Sequence, residues 1–133
     1  MNKRVVAGIG VLIAGALLLA GCSSNKGAIT NMNAKDFSNI TQQSNVVILD
    51  VRTPGEFSQG HIQGAMNIDV EASTFDSEIA KLDKSKTYAV YCHSGRRSGI
   101  ATEAMAKMGF KHIYNLQNGL ADWMSQGMMT VTS

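Results

Sequence analysis

The sequence predicts an α/β fold: one domain with a mainly parallel, five-stranded sheet flanked by helices. Two observations lead there. Short apolar runs alternate with helix-like segments along most of the chain. Of the two strongest runs, Val46-Val47-Ile48-Leu49 is bounded by polar residues, as a strand buried on both faces is, and Thr87-Tyr88-Ala89-Val90-Tyr91 is β-branched and aromatic. Repeated strand–helix alternation places successive strands in one sheet through right-handed crossovers.

Each element has its own signal. Ala28 to Thr30 is a weak strand candidate, followed by a helix from about Ala34 to Gln43. After the Val46 run, Thr53 is placed to cap a helix, Pro54 suits its first position, and Glu56 completes a capping box. Ala65 to Ile68 reads as a short third strand, and a helix is expected between Ser77 and Leu82. Past the Thr87 run and a short loop, a helix is expected to begin near Ser98. Ile100, Ala101, Ala104, Met105 and Met108 share one of its faces, and Gly109 stops it. His112 to Leu116 is the fifth strand and Leu120 to Gln126 a closing helix.

The first residues stand apart from this pattern. Lys3 and Arg4 precede an almost wholly apolar stretch, Val5 to Leu19, which ends in Leu19-Ala20-Gly21-Cys22. A charged start, a run too short for a comfortable membrane span and a small-residue exit describe a secretory signal. The Cys22 segment resembles a bacterial lipobox, which implies cleavage before Cys22 and acylation of its sulfur. The expected organisation is a signal peptide over 1–21, a lipidated Cys22 with a tether over 22–27, and a folded domain over 28–133. A chain so processed is held to the membrane through Cys22, in the bacterial cell envelope, facing the periplasm or the exterior. Loss of Lys3 and Arg4 takes the formal net charge from +2 to zero, so no basic stripe remains for a nucleic-acid partner. With Cys22 acylated, Cys92 is the one remaining thiol of the two cysteines, and an intrachain disulfide is excluded.

Cys92 then draws the chemistry. It follows the buried Thr87 run directly and precedes a helix, the edge of an open α/β sheet where ligands bind. Gly95 permits a tight loop whose N–H groups turn inward as an anion nest, the helix adds the positive end of its dipole, and Arg96 and Arg97 add charge. Together these predict a Cys92 thiol more acidic than usual. A buried, inert cysteine explains Tyr91 and Cys92 but not the glycine and two arginines that follow.

The motifs carry a resemblance. Leu49-Asp50-Val51-Arg52, Glu56-Phe57 and Gly60-His61-Ile62-Gln63-Gly64-Ala65-Met66-Asn67-Ile68 resemble the first motif of single-domain rhodaneses. Tyr91-Cys92-His93-Ser94-Gly95-Arg96-Arg97-Ser98 resembles their active-site loop, and Gly119, Trp123 and Gly127 their closing segment. The resemblance implies a rhodanese-like domain and sulfur transfer through a persulfide on Cys92. The donor is a small sulfur compound such as thiosulfate or a persulfide, and the acceptor a thiophile or a protein. His93, Ser94, Gly95, Arg96, Arg97 and Ser98 form the substrate-binding loop, in which Arg97 attracts anions and orders the backbone. Asp50, Arg52, Glu56 and His61 are framework. Arg52 and Glu56, four residues apart, are expected to pair, Asp50 to anchor the loop after its strand, and His61 to order a turn. No cofactor is implied, and three scattered histidines give no metal site. Met105, Met108, Met124, Met128 and Met129 read as core filler.

Three positions depart from the resemblance. His93 stands where strong thiosulfate users often carry a cation, while Asn118 and Met128 replace a frequent Gly and Pro in turns. Cysteine-dependent phosphatases, the nearest rival, usually place their oxyanion-binding Arg where this chain has Ser98. A thiol–disulfide oxidoreductase lacks a resolving cysteine here. The alternative to a general enzyme is a membrane-tethered module of the same fold that binds a partner or delivers sulfur to it alone.

Overall fold

The computed structural model describes residues 25–133; the signal-like segment 1–21, Cys22 and the start of the tether lie outside the described residues. A 3-10 turn over Asn25–Ala28 leads into β1 (Ile29–Met32), α1 (Ala34–Thr41), β2 (Val46–Asp50), α2 (Pro54–Gln59) and β3 (Met66–Asn67). There follow α3 (Phe75–Ala80), β4 (Thr87–Tyr91), α4 (Arg96–Lys107), β5 (His112–Leu116) and α5 (Gly119–Ser125). The end of the expected tether is thus a turn, and its Ala28 packs against the core. None of the described helices is long and apolar enough to cross a membrane.

The strands form one sheet in the order β1-β5-β4-β2-β3, and every pairing is parallel. Its two faces follow from the two-residue period of a strand. Tyr88 and Val90 of β4 face one cluster, with Phe75 and Ile79 of α3 and Ala101 and Met105 of α4. Ala89 and Tyr91 face the other, with Phe37 of α1 and Leu120 and Trp123 of α5. Such double-sided burial is why β2 and β4 read as continuous apolar runs. Each large side chain so buried contributes about 1.5–3 kcal/mol.

Several boundaries moved. β3 pairs with β2 over only Met66 and Asn67, two residues shorter than expected. α3 begins at Phe75, ahead of the expected Ser77, because Phe75 and Ile79 fall one turn apart on its buried face. The largest shift is in α4. It starts at Arg96, not near Ser98, so both arginines sit in its first turn. Its buried face is Ser98, Ala101, Thr102, Met105 and Ala106, whereas Ile100 is 54% exposed. Ser98 and Thr102 replace the expected apolar residue because their hydroxyls bond within the helix, Ser98 to Gly95 O and Thr102 to Gly99 O. Met124 and Met129, expected in the core, are 47% and 84% exposed.

Candidate active site

β2 and β4 are neighbours, with Asp50 beside Tyr91 at their carboxyl ends. The chain leaves β2 toward β3 on one side and leaves β4 toward β5 on the other. This divergence opens a crevice at the strand ends, where open α/β sheets bind ligands. Cys92 emerges there from β4, and Asp50, Arg52 and Glu56 from β2.

Cys92 has no exposed surface. Its Sγ accepts the Gly95 N–H at 3.0 Å and lies 3.5 Å from Ser98 Oγ, which itself donates to Gly95 O at 3.2 Å. Gly95 holds φ +102°, a left-handed backbone that turns the loop directly into α4. The opposite side of the loop is tied to the last helix. Leu120 N–H donates to the Cys92 carbonyl at 2.8 Å and Ala121 N–H to the His93 carbonyl at 3.0 Å. Two of the unpaired donors at the start of α5 thereby find acceptors, and two loop carbonyls are held by α5. The approach is close enough that a Cβ on Gly95 would overlap the Gln117 carbonyl, and one on Gly119 the His93 carbonyl.

These contacts set the acidity of the thiol. Burial pushes the Cys92 pKa up, but the Ser98 hydroxyl and the Ser98, Gly95 and Ser94 N–H groups favour the thiolate, and the net direction is down. The hydroxyl and N–H groups lead this shift, while Arg97, which also interacts with Cys92 through its charge, is held by Glu56. Its guanidinium grips Glu56 with two bonds, Nη1 to Oε1 at 2.7 Å and Nη2 to Oε2 at 2.9 Å. Arg97 holds the Glu56 carboxyl down from its ordinary 4.5 to about 2. That contribution to stability is complete above the ordinary carboxylate range, declines as pH falls below 4.5, and is gone once pH has fallen through about 2. Because the low Cys92 pKa raises the thiolate fraction, its ultraviolet absorbance should appear at lower pH than for a free cysteine. A Cys22→Ala background isolates the signal. Ser98→Ala should move the midpoint upward, and an unmoved midpoint would remove Ser98 from this role.

The expected Arg52–Glu56 pair does not form. Arg52 turns back to Asp50 instead, Nη2 to Oδ2 at 2.7 Å and Nε to Oδ1 at 3.0 Å, because both emerge together from the buried end of β2. Asp50 also accepts the Arg52 N–H at 2.9 Å, which makes it the loop anchor expected of it. Arg52 reaches on to Gly60 O at 2.7 Å, and the Tyr91 hydroxyl accepts the Ile62 N–H at 3.0 Å. Removing one partner of such a buried pair costs about 3–5 kcal/mol. The expected capping box forms in half: the Glu56 N–H donates to Thr53 Oγ1 at 3.3 Å, but the Glu56 carboxylate accepts from that hydroxyl at 3.1 Å, not from the Thr53 N–H. His61 orders its turn: Nδ1 lies 2.8 Å from Phe57 O, the rings stack at 3.7 Å, and its backbone pairs with Val131.

In front of the loop lies a cleft of about 360 Å³, whose walls include Arg52, Glu56, His93, Leu120, Met124 and Thr130. His93, Ser94 and Arg96 are exposed, Arg97 half-buried and Ser98 buried. Of the loop, His93 lines the cleft with Arg52 and Glu56, and Arg97 reaches Glu56; Cys92 is buried outside that lining, as are Asp50 and His61. Leu120 and Met124 were not recognised as site residues. Their signal was an apolar pair four residues apart on the closing helix, and it reads equally well as core. No group of three or more potential metal ligands occurs among the described residues.

A family model, the rhodanese-like domain, matches residues 33–126. Thiosulfate sulfurtransferase PspE of Escherichia coli (strain K12) is 42% identical over 74 residues, 56% of this chain and 70% of that protein. A putative mitochondrial thiosulfate sulfurtransferase of Schizosaccharomyces pombe is 30% identical over 125 residues, 80% of this chain and 88% of that one. Among solved structures, the polysulfide-sulfur transferase homodimer of Wolinella succinogenes superposes with a TM-score of 0.64 at 25% identity, covering 80% of this chain and 81% of that chain.

Proposed function

The chain belongs to the rhodanese-like domain family, and from that membership we propose that it is a sulfurtransferase working through a persulfide on Cys92. The observation that carries the reading is the setting of Sγ, which faces the Gly95 N–H at 3.0 Å while the Cys92 and His93 carbonyls are held by α5. An oriented N–H nest with a helix N-terminus behind it is suited to a sulfur that is anionic before and after transfer.

With thiosulfate, the Cys92 thiolate attacks the outer sulfur, its S–S bond breaks, and sulfite leaves with the bonding pair. The product is an anionic Cys92 persulfide, so the charge is conserved. A thiophile such as cyanide then takes the terminal sulfur as thiocyanate and restores the thiolate. Arg97 does not move a proton, since guanidinium stays charged; held by Glu56, it fixes the first turn of α4 and so the nest. His93 and Ser94, exposed beside the buried sulfur, are the residues a donor passes first. The names of the relatives support thiosulfate and polysulfide as donors to try. Incubation with each, followed by intact mass, should show a gain of one sulfur atom that cyanide removes as thiocyanate. No gain from any sulfane donor would sink the reading.

We also propose that Cys22 carries the lipid that tethers this domain to the envelope membrane. Wild-type cells should incorporate radioactive fatty acid into the chain and Cys22→Ala cells should not; equal labelling would refute it.

A further inference from the structure

The strands all run the same way, so their first residues share one edge of the sheet, opposite the edge where Cys92 emerges. The loops that reach this edge are rich in lysine. Lys81, Lys84 and Lys86 lie between α3 and β4, while Lys107 ends α4 and Lys111 precedes β5; all five are exposed. The two loops adjoin, since a Cβ on Gly109 would stand 3.9 Å from the Lys84 side chain. Neighbouring carboxylates leave most of this charge unmatched. Glu78 pairs with Lys81 at 2.9 Å, and Asp83 is occupied by the Ser85 N–H and hydroxyl at 2.9 and 2.6 Å. Among the described residues, Lys84, Lys86, Lys107 and Lys111 form no ion pair. The zero net charge of residues 22–133 conceals this polarity: five lysines against Asp83 put +4 on the two loops, and the remainder carries −4. The chain also enters the fold at this edge. The 3-10 turn Asn25–Ala28 packs against α4 and leads into β1, whose Ile29 lies beside Ile113 near the start of β5. Cys22 lies three residues before Asn25 in the sequence. Three residues reach at most about 11 Å, close to the distance of about 8 Å over which charges act at physiological salt.

We propose that this lysine face rests on the anionic phospholipid surface of the membrane that holds Cys22, with the Cys92 cleft turned away from it. The inference rests on the lipid reading of Cys22 and adds an orientation to it. Each lysine near an anionic surface strengthens the contact about fivefold, and a short tether supplies the proximity that four exposed side chains alone lack. The sheet itself separates the two edges. The five residues of β4, at about 3.3 Å each, set Cys92 roughly 16 Å beyond the lysine face. The buried sulfur then meets partners arriving through water, and the lipid surface stays behind the domain.

The test footprints lysines on the chain as purified from cells, reconstituted into vesicles of phosphatidylcholine alone or with added phosphatidylglycerol. Acetylation by a water-soluble reagent, read by peptide mass, compares Lys84, Lys86, Lys107 and Lys111 with Lys35, which is exposed at the start of α1 on the cleft side of the sheet. Phosphatidylglycerol should lower the reactivity of the four relative to Lys35 by at least about fivefold. Salt near roughly 1 M, which shortens the screening length to about 3 Å, should restore it. In a Lys84→Gln/Lys86→Gln chain, Lys107 and Lys111 should lose that protection, because two charges fewer weaken the contact about 25-fold. Equal ratios in the two kinds of vesicle, protection that survives the salt, or protection of Lys35 instead would each overturn the proposal. Intact mass reports the lipid on the same sample. A chain without lipid would remove the Cys22 reading and the orientation with it, whereas a lipid-bearing chain with equal ratios would remove the orientation alone.

Discussion

Gly95→Ala is expected to lower the melting temperature by about 16–32 °C, and to abolish the acidic thiol in whatever folded protein remains. Two costs add. A non-glycine residue in the left-handed region loses about 1–2 kcal/mol, and Gly95 sits at φ +102°. The new Cβ would also overlap the Gln117 carbonyl, so either the β5–α5 turn or the loop must shift. A combined loss of about 4 kcal/mol is in the exceptional range for a single substitution and is a large part of the 5–15 kcal/mol typical of a domain. Each kcal/mol corresponds to about 4–8 °C at this size. Thermal unfolding followed by circular dichroism checks the first part and thiolate absorbance the second. A shift of only a degree or two would show that the interlock between the two loops is loose.

Cys92→Ser separates chemistry from folding. The serine hydroxyl is smaller but still accepts the Gly95 N–H, so stability should change by no more than about 1 kcal/mol. Sulfur loading should vanish, because an un-ionised hydroxyl neither attacks a sulfane sulfur nor holds it. Thiocyanate formation should fall on the order of 10³-fold or more. Intact mass after donor treatment and thiocyanate after cyanide measure both. A variant that still gains sulfur would place the reactive thiol elsewhere, and Cys22 would be the residue to examine.

The sheet was legible because its central strands are buried on both faces, and such strands write themselves as unbroken apolar runs. The thiol was legible because a cysteine followed by a glycine and two arginines makes little sense as plain core. The pairing of charges was not. Arg52 and Glu56 have ideal spacing for a helical pair, but Arg52 leaves the buried end of β2 before the helix begins. Buried there, its guanidinium is met by Asp50, two residues back, and by Gly60 O. Glu56 is thereby released to meet Arg97, a partner 41 residues away that only the parallel pairing of β2 with β4 brings near. The start of α4 was misplaced for a related reason: the left-handed Gly95 turns the chain into a helix without a capping side chain. The apolar side of the cleft stayed hidden because Leu120 and Met124 obey the same periodicity as core residues, and exposure is not encoded in spacing.

The bonds from Leu120 and Ala121 to the carbonyls of Cys92 and His93 carry a consequence for the order of events during biosynthesis. Chains emerge amino end first, so the Cys92 loop is made before α5 can dock against it. Until that helix docks, nothing turns the two carbonyls aside or presses Gln117 against Gly95. Until then the loop that carries the Ser94, Gly95 and Ser98 donors around the sulfur lacks its outer brace. The last helix made is thus the one that completes the bracing of the Cys92 loop.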